Sequence, residues 1–98
     1  MAESSPLERH FAAILAEALR RRRRELGLSQ EEVALRAGID RGHYQLMEAA
    51  RSDRHSNKAA NPRFFTLLRL AEALEIPVDE LLGPVAEAYE GGPGTSWF

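Results

Sequence analysis

The stretch Gly27-Leu28-Ser29-Gln30-Glu31-Glu32-Val33-Ala34-Leu35-Arg36-Ala37-Gly38-Ile39-Asp40 decides how this chain folds. Ser29 and Glu32 stand three residues apart, the spacing at which a hydroxyl and a carboxylate reciprocally satisfy the first backbone N–H groups of a helix. The pattern predicts a short helix from Gln30 to about Ala37, with Val33, Ala34 and Ala37 inward. Gly38 follows, where a left-handed residue ends a helix without Cβ strain. Asp40 then caps a second short helix, Arg41 to about Ala49, with Tyr44 and Met47 inward. Ala34 is small enough to let the two helices approach closely, and Ile39 plugs the turn into the core.

Two short capped helices around a glycine turn have the geometry of a helix-turn-helix. Upstream, Ser5, Pro6 and Glu8 form another helix start, and Leu7, Phe11, Ile14, Leu15, Ala18 and Leu26 recur at helical spacing up to the stop at Gly27. A first helix over residues 6–25 follows. Downstream, residues 50–61 lose the apolar period and are polar and basic, which predicts a loop of a length that is often functional. Asn61-Pro62 restarts a helix, with Phe64, Leu67, Leu68, Ala71 and Leu74 on its inward face. Pro77 separates a short fifth helix, Val78 to Leu82; Gly83-Pro84 is expected to interrupt it, with one or two more turns in Val85 to Glu90. Residues 91–94, Gly-Gly-Pro-Gly, have linker composition, and the chain ends in Trp97-Phe98. Neither a strand pattern nor a repeat is visible. The expected organisation is a lead over 1–5, an all-α five-helix domain over 6–83 and a C-terminal extension over 84–98.

Ninety-eight residues suffice for one domain with one modest core. The absence of cysteine excludes disulfides and thiolate metal sites. No apolar run is long enough to cross a bilayer, and the short acidic N-terminus does not read as a signal peptide, so a cytosolic protein without a membrane partner is expected. The net charge of −2 argues superficially against a nucleic-acid partner, but its distribution does not. Residues 20–63 hold eleven Arg/Lys against six Asp/Glu, a net of +5, whereas residues 64–98 hold one Arg against six acids, a net of −5. A basic middle beside an acidic end is the polarity of a protein with one DNA-facing side.

These features resemble the Xre/Cro/CI-like helix-turn-helix family, which is phage-repressor-like. The resemblance covers about residues 9–83 and rests on the Gly-Leu-Ser-Gln-Glu-Glu-x-Ala run from Gly27, Ala37-Gly38-Ile39, Glu48, and the stretch from Asn61-Pro62-Arg63-Phe64 to Leu81-Leu82. It implies a lambda-repressor-like domain that places helix 3 in the major groove of double-stranded DNA, commonly as a homodimer on a two-fold operator. It also implies roles: Gln30 near the DNA backbone or a base edge, Arg41, Gly42, His43 and Leu46 facing the groove with Gln45 beside them, and Arg63 near phosphate or the minor groove. Arg23 and Glu48 match an internal salt bridge. The sequence departs from the family in three places. Gly42 has no side chain, Leu46 offers a base only an apolar contact such as a thymine methyl, and Ala49-Ala50 replaces the usual stop before a loop about seven residues longer than the closest pattern.

The remaining polar groups carry two readings each. Arg20 to Arg24 point all round a helix, so some complement its dipole while one or two reach phosphate. Arg51, Arg54, His55 and Lys58 form either a solvated loop or a basic arm on the DNA backbone, with Arg51, Arg54 and Lys58 as the backbone candidates. His10, His43 and His55 lack metal-ligand spacing, no catalytic constellation is readable, and no cofactor or metal is expected. Leu81, Leu82, Val85 and Tyr89 are either core or a dimer seam. The expectation is a non-enzymatic, sequence-specific DNA-binding transcriptional repressor acting as a homodimer. The alternative is an adaptor or antitoxin that binds a protein through the same fold and the Trp97-Phe98 tail.

Overall fold

Five helices follow one another in the computed structural model, which describes residues 4–91: α1 (Pro6–Glu25), α2 (Gln30–Ala37), α3 (Arg41–Glu48), α4 (Phe64–Ala73) and α5 (Val78–Gly91). The fold is all-α. The β-type pairing among the described residues is an isolated bridge between Arg51 and Ala59. No helix among them is long and apolar enough to cross a membrane.

The helix starts follow local chemistry. Ser5 Oγ accepts from Glu8 N while Glu8 Oε1 accepts from Ser5 N, and Ser29 and Glu32 make the same reciprocal pair at α2. Asp40 Oδ2 accepts from Gly42 N at 3.0 Å and caps α3. The helix ends share one device. At each of four termini a left-handed residue reverses the chain, and the residue after it bonds back five positions. Leu28 N donates to Arg23 O, Ile39 N to Ala34 O, Arg51 N to Leu46 O and Ile76 N to Ala71 O. The reversing residues are Gly27 and Gly38 at φ +70° and +69°, but Ala50 and Glu75 at φ +64° and +55°. Leu28, Ile39 and Ile76, the residues that follow three of these turns, all pack against the core.

The core joins Leu15, Ala18 and Leu19 of α1 to Val33 and Ala34 of α2, Tyr44 and Met47 of α3, Leu70, Ala71 and Leu74 at α4, and Leu81 of α5. Leu19, Val33, Tyr44, Leu70, Leu74 and Leu81 are fully buried. Each such apolar side chain contributes about 1.5–3 kcal/mol of transfer free energy. α1 packs on α3 and α5, α2 on α3 and α4, and α4 on α5, so α3 is held on one side and open on the other.

Two expectations are corrected. Gly83-Pro84 does not interrupt α5; the helix runs through Pro84 to Gly91. A proline inside a helix costs about 3 kcal/mol. Leu81, Leu82 and Val85 offset it by lying on one face and packing into the core, and the Tyr89 ring extends that face to Phe11, 5.9 Å away between centroids. Phe64, expected inward, is 66% exposed, as is Phe65, and the two rings meet edge to face at 5.3 Å. The inward register of α4 begins at Thr66 instead, because Arg63 at the helix N-cap places the first turn at the rim of the core.

Ala50 is a cap position where a Cβ is strained. Ala50→Gly should therefore stabilise the fold by about 0.5–1 kcal/mol, less than the whole strain because glycine also loosens the unfolded chain. Urea unfolding checks this through a raised midpoint at unchanged slope.

Candidate nucleic-acid interface

The outward face of α3 is set by what anchors its inward face. Glu48, at the last turn, is 4% exposed. Arg23 of α1 grips its carboxylate with two bonds, Nε to Oε2 at 2.6 Å and Nη2 to Oε1 at 3.0 Å. Gln30 Nε2, from the first turn of α2, donates to Oε1 at 2.9 Å, and the Tyr44 hydroxyl donates to Oε2. Arg20 donates to the Glu48 carbonyl, and Arg23 Nη1 to Leu28 O at 3.1 Å. One carboxylate thus ties α3 to both preceding helices.

The electrostatics agree. Burial opposes ionisation of Glu48, but the hydrogen bonds from Arg23, Tyr44 and Gln30 outweigh it and hold the carboxyl below its usual range. The Glu48 partner raises the Arg23 guanidinium above its ordinary value, against burial. Burial first, and the adjacent carboxylate second, push the Tyr44 phenol above its ordinary value, so it remains a donor.

With the inward face clamped, Arg41 and His43 are exposed, and Gly42, Gln45 and Leu46 are half-buried on the outer side of α3. Two depressions flank the helix. One is lined by Gly42, Gln45, Leu46, Ala49, Arg51 and Arg54. The other brings His43 of α3, Arg51 of the loop and Arg63 at the α4 N-cap together. The loop has its own structure. Ser52 N donates to Lys58 O and Ala60 N to Ala50 O, which closes a narrow hairpin around the Arg51–Ala59 bridge. At its tip Asp53 Oδ1 accepts from His55 N and Ser56 N at 2.8 Å each, and Oδ2 accepts from the Ser56 hydroxyl at 2.9 Å. The backbone bond from His55 leads in holding the Asp53 carboxyl below its ordinary range.

A family model described as "Helix-turn-helix domain" matches residues 14–82, which contain α2, α3 and the anchors of both. The chain belongs to the helix-turn-helix domain family. It is 39% identical over 71 residues, 72% of this chain and 82% of the other, to an uncharacterized HTH-type transcriptional regulator, y4dJ, of Sinorhizobium fredii (strain NBRC 101917 / NGR234). Among solved structures it resembles the restriction-modification controller protein C.AhdI from Aeromonas hydrophila, with 34% identity, TM-score 0.59, and coverage of 71% of this chain and 94% of that one. The wild-type restriction-modification controller protein C.Esp1396I shares the fold at 18% identity, with TM-score 0.64 over 86% of this chain and 94% of that one. These matches bear out the Xre/Cro/CI-like resemblance and the all-α helix-turn-helix fold.

Within the helix-turn-helix the structure distributes the expected site residues unevenly. Arg41, His43, Gln45 and Leu46 share the outer side of α3, with Arg54 and Arg63 beside them. Gln30 is committed inward, its amide bonded to Glu48. Arg51 folds its guanidinium onto its own loop, where Nη2 donates to Ser56 O at 3.0 Å. Lys58 lies apart, in a cleft with Ser4, Glu8 and Phe11 on the α1 side. Trp97-Phe98 lies outside the described residues.

The five-arginine run sorts by helical register. Arg20, Arg22 and Arg23 continue, one turn on, the buried positions Ala16, Ala18 and Leu19, and all three turn inward. Arg22 donates from Nε to Leu74 O and from Nη2 to Glu75 O, both at 2.8 Å, and so caps the end of α4. Arg36 of α2 reaches the same terminus through Glu75 at 3.2 Å. Arg21 and Arg24 stay exposed. The four-residue offset from the buried positions was the available signal for Arg20 and Arg22.

Removing one partner of a buried pair leaves an uncompensated charge. Glu48→Ala should cost about 3–5 kcal/mol, measured by urea unfolding. A carboxyl whose folded value is depressed stabilises fully above the unfolded value, about pH 4.3 for Glu, and loses that stabilisation as pH falls through the folded value. The protein should therefore weaken on acidification. Glu48→Gln should flatten this slope, leaving the part due to Glu32 and Asp53, whose carboxyls are also held low.

Proposed function

We propose that this chain is a sequence-specific, double-stranded-DNA-binding transcriptional regulator that lays the outer side of α3 in the major groove. The observation that carries the reading is the clamped α3, whose anchored inward face leaves Arg41, His43, Gln45 and Leu46 together outside, flanked by Arg54 and Arg63. A guanidinium at Arg41 suits the two acceptors of a guanine edge, and Leu46 suits a thymine methyl. Arg63, which shares a depression with His43 at the edge of the same face, is the phosphate contact in this reading. Gln30 and Arg51 then act by positioning, because both are bonded within the protein. The y4dJ relative is named as an HTH-type transcriptional regulator and C.AhdI as a controller protein, and both names favour regulation over catalysis.

In this reading the protein represses as a homodimer on an inverted-repeat operator, in the cytoplasm and on the nucleoid, with no cofactor. The exposed Phe64–Phe65 pair supplies apolar surface for a second copy to cover.

Selection from a randomised double-stranded DNA pool tests the proposal. The expected product is an inverted repeat with half-site centres about 10 bp apart or a multiple of it; a pool with no enriched sequence and no salt-sensitive binding overturns it. Arg41→Ala should relax preference at one base pair, costing about 1–3 kcal/mol there, whereas equal weakening on all sequences would make Arg41 a phosphate contact. Arg63→Ala should lower the slope of log K against log salt by about one unit; an unchanged slope removes Arg63 from the backbone contacts.

A further inference from the structure

Gly42 is costly in the first turn of a helix that is meant to read DNA. It lacks a side chain at a groove-facing position and is a poorer helix former than alanine. Its backbone is in the ordinary helical region, so no turn requires it. The structure supplies another reason. A Cβ at position 42 would stand 3.2 Å from Arg54 Nη2 and 3.1 Å from Asp40 Oδ2. The space that a residue-42 side chain would fill holds the head of an arginine delivered by the loop.

The loop is built to deliver it. The Arg51–Ala59 bridge folds residues 51–59 back as a hairpin. Asp53 takes the backbone N–H groups of His55 and Ser56, on the far side of Arg54, so the backbone around Arg54 is held by its neighbours rather than by its own side chain. The Arg54 side chain is exposed and shares one depression with Gln45 and Leu46. Asp40, on the same side of Gly42, caps Gly42 N with its Oδ2. The planar fork of the Arg54 guanidinium, held at this surface, matches the O6 and N7 acceptors of guanine.

We infer that Arg54 is a base-reading residue, seated in the notch left by Gly42, and that the loop thereby supplies the side chain α3 lacks at position 42. The inference deepens the proposed DNA reading and rests on it. It assigns Arg54 to sequence recognition rather than to the phosphate backbone, and it assigns Gly42 to positioning Arg54.

The test is selection on the same randomised double-stranded DNA pool, followed by affinity measurements on the selected site and its single-base variants, for the full chain and for Arg54→Ala, Arg54→Lys, Gly42→Ala and the Gly42→Ala/Arg54→Ala double variant. Arg54→Ala should lose discrimination at one base pair by about 5- to 150-fold, at a position other than the one lost in Arg41→Ala. Arg54→Lys should keep the salt slope but not that discrimination, because a point charge lacks the fork. Gly42→Ala should weaken preference at the same base pair, and the double variant should be no worse there than Arg54→Ala alone. Thermal melts that are unchanged in Arg54→Ala and no lower in Gly42→Ala identify these as binding effects. Uniform weakening on every sequence by Arg54→Ala, with the salt slope reduced by about one, would overturn base reading in favour of a phosphate contact. Additive effects of the two substitutions would overturn the seat at Gly42. If the wild-type chain selects a site and Arg54→Ala selects the same site equally well, this inference fails while the DNA reading stands; if the wild-type chain selects nothing, both fail.

Discussion

A single buried carboxylate orients the part of this molecule that faces outward. Glu48 is desolvated, a state that is unfavourable for a charged group unless its oxygens are fully engaged. Arg23, Gln30 and Tyr44 engage them, and they come from α1, α2 and α3. The demand for satisfied oxygens therefore fixes the rotation of α3 about its axis. Helices joined by apolar contact alone can slide or roll with modest loss; one pinned by a two-pronged guanidinium cannot. Whatever α3 presents to solvent is decided by this pin.

The same logic divides the arginines. Arg20, Arg22 and Arg23 are spent inside the fold, on carbonyls and on Glu48, and Arg36 binds at the end of α4. The positive charge counted over residues 20–63 is thus not all available to a polyanion. What remains outward is Arg21 and Arg24 on α1 and, around α3, Arg41, Arg54 and Arg63, so a modest surface beside α3 carries positive charge that the whole chain, at −2, conceals.

The loop between α3 and α4 changes the character of the helix-turn-helix. By itself α3 is short of polar readers, with Gly42 and Leu46 on its outer side. A hairpin stiffened by Asp53 and a β-bridge places extra polar groups against that side. An insertion that looks like unstructured polar sequence is, in three dimensions, part of the face.

The sequence by itself determined what local chemistry controls. The capping pairs Ser5/Glu8 and Ser29/Glu32 start α1 and α2, and Gly27 and Gly38 end them, because each device acts within a few residues. The helix-turn-helix followed from these signals, together with the inward Tyr44 and Met47. The ends of α3 and α4 use the same turn but with Ala50 and Glu75 in the left-handed position, where nothing local advertises it and packing bears the strain. The tertiary structure alone decided that α5 runs through Pro84, since the gain comes from α1. It alone set the Gln30 amide on Glu48 and Arg54 against Gly42. The last two outcomes depend on groups 18 and 12 positions apart in the chain meeting in space, and the first on α1 and α5 at opposite ends of the domain; residue spacing along one helix carries no information about such meetings.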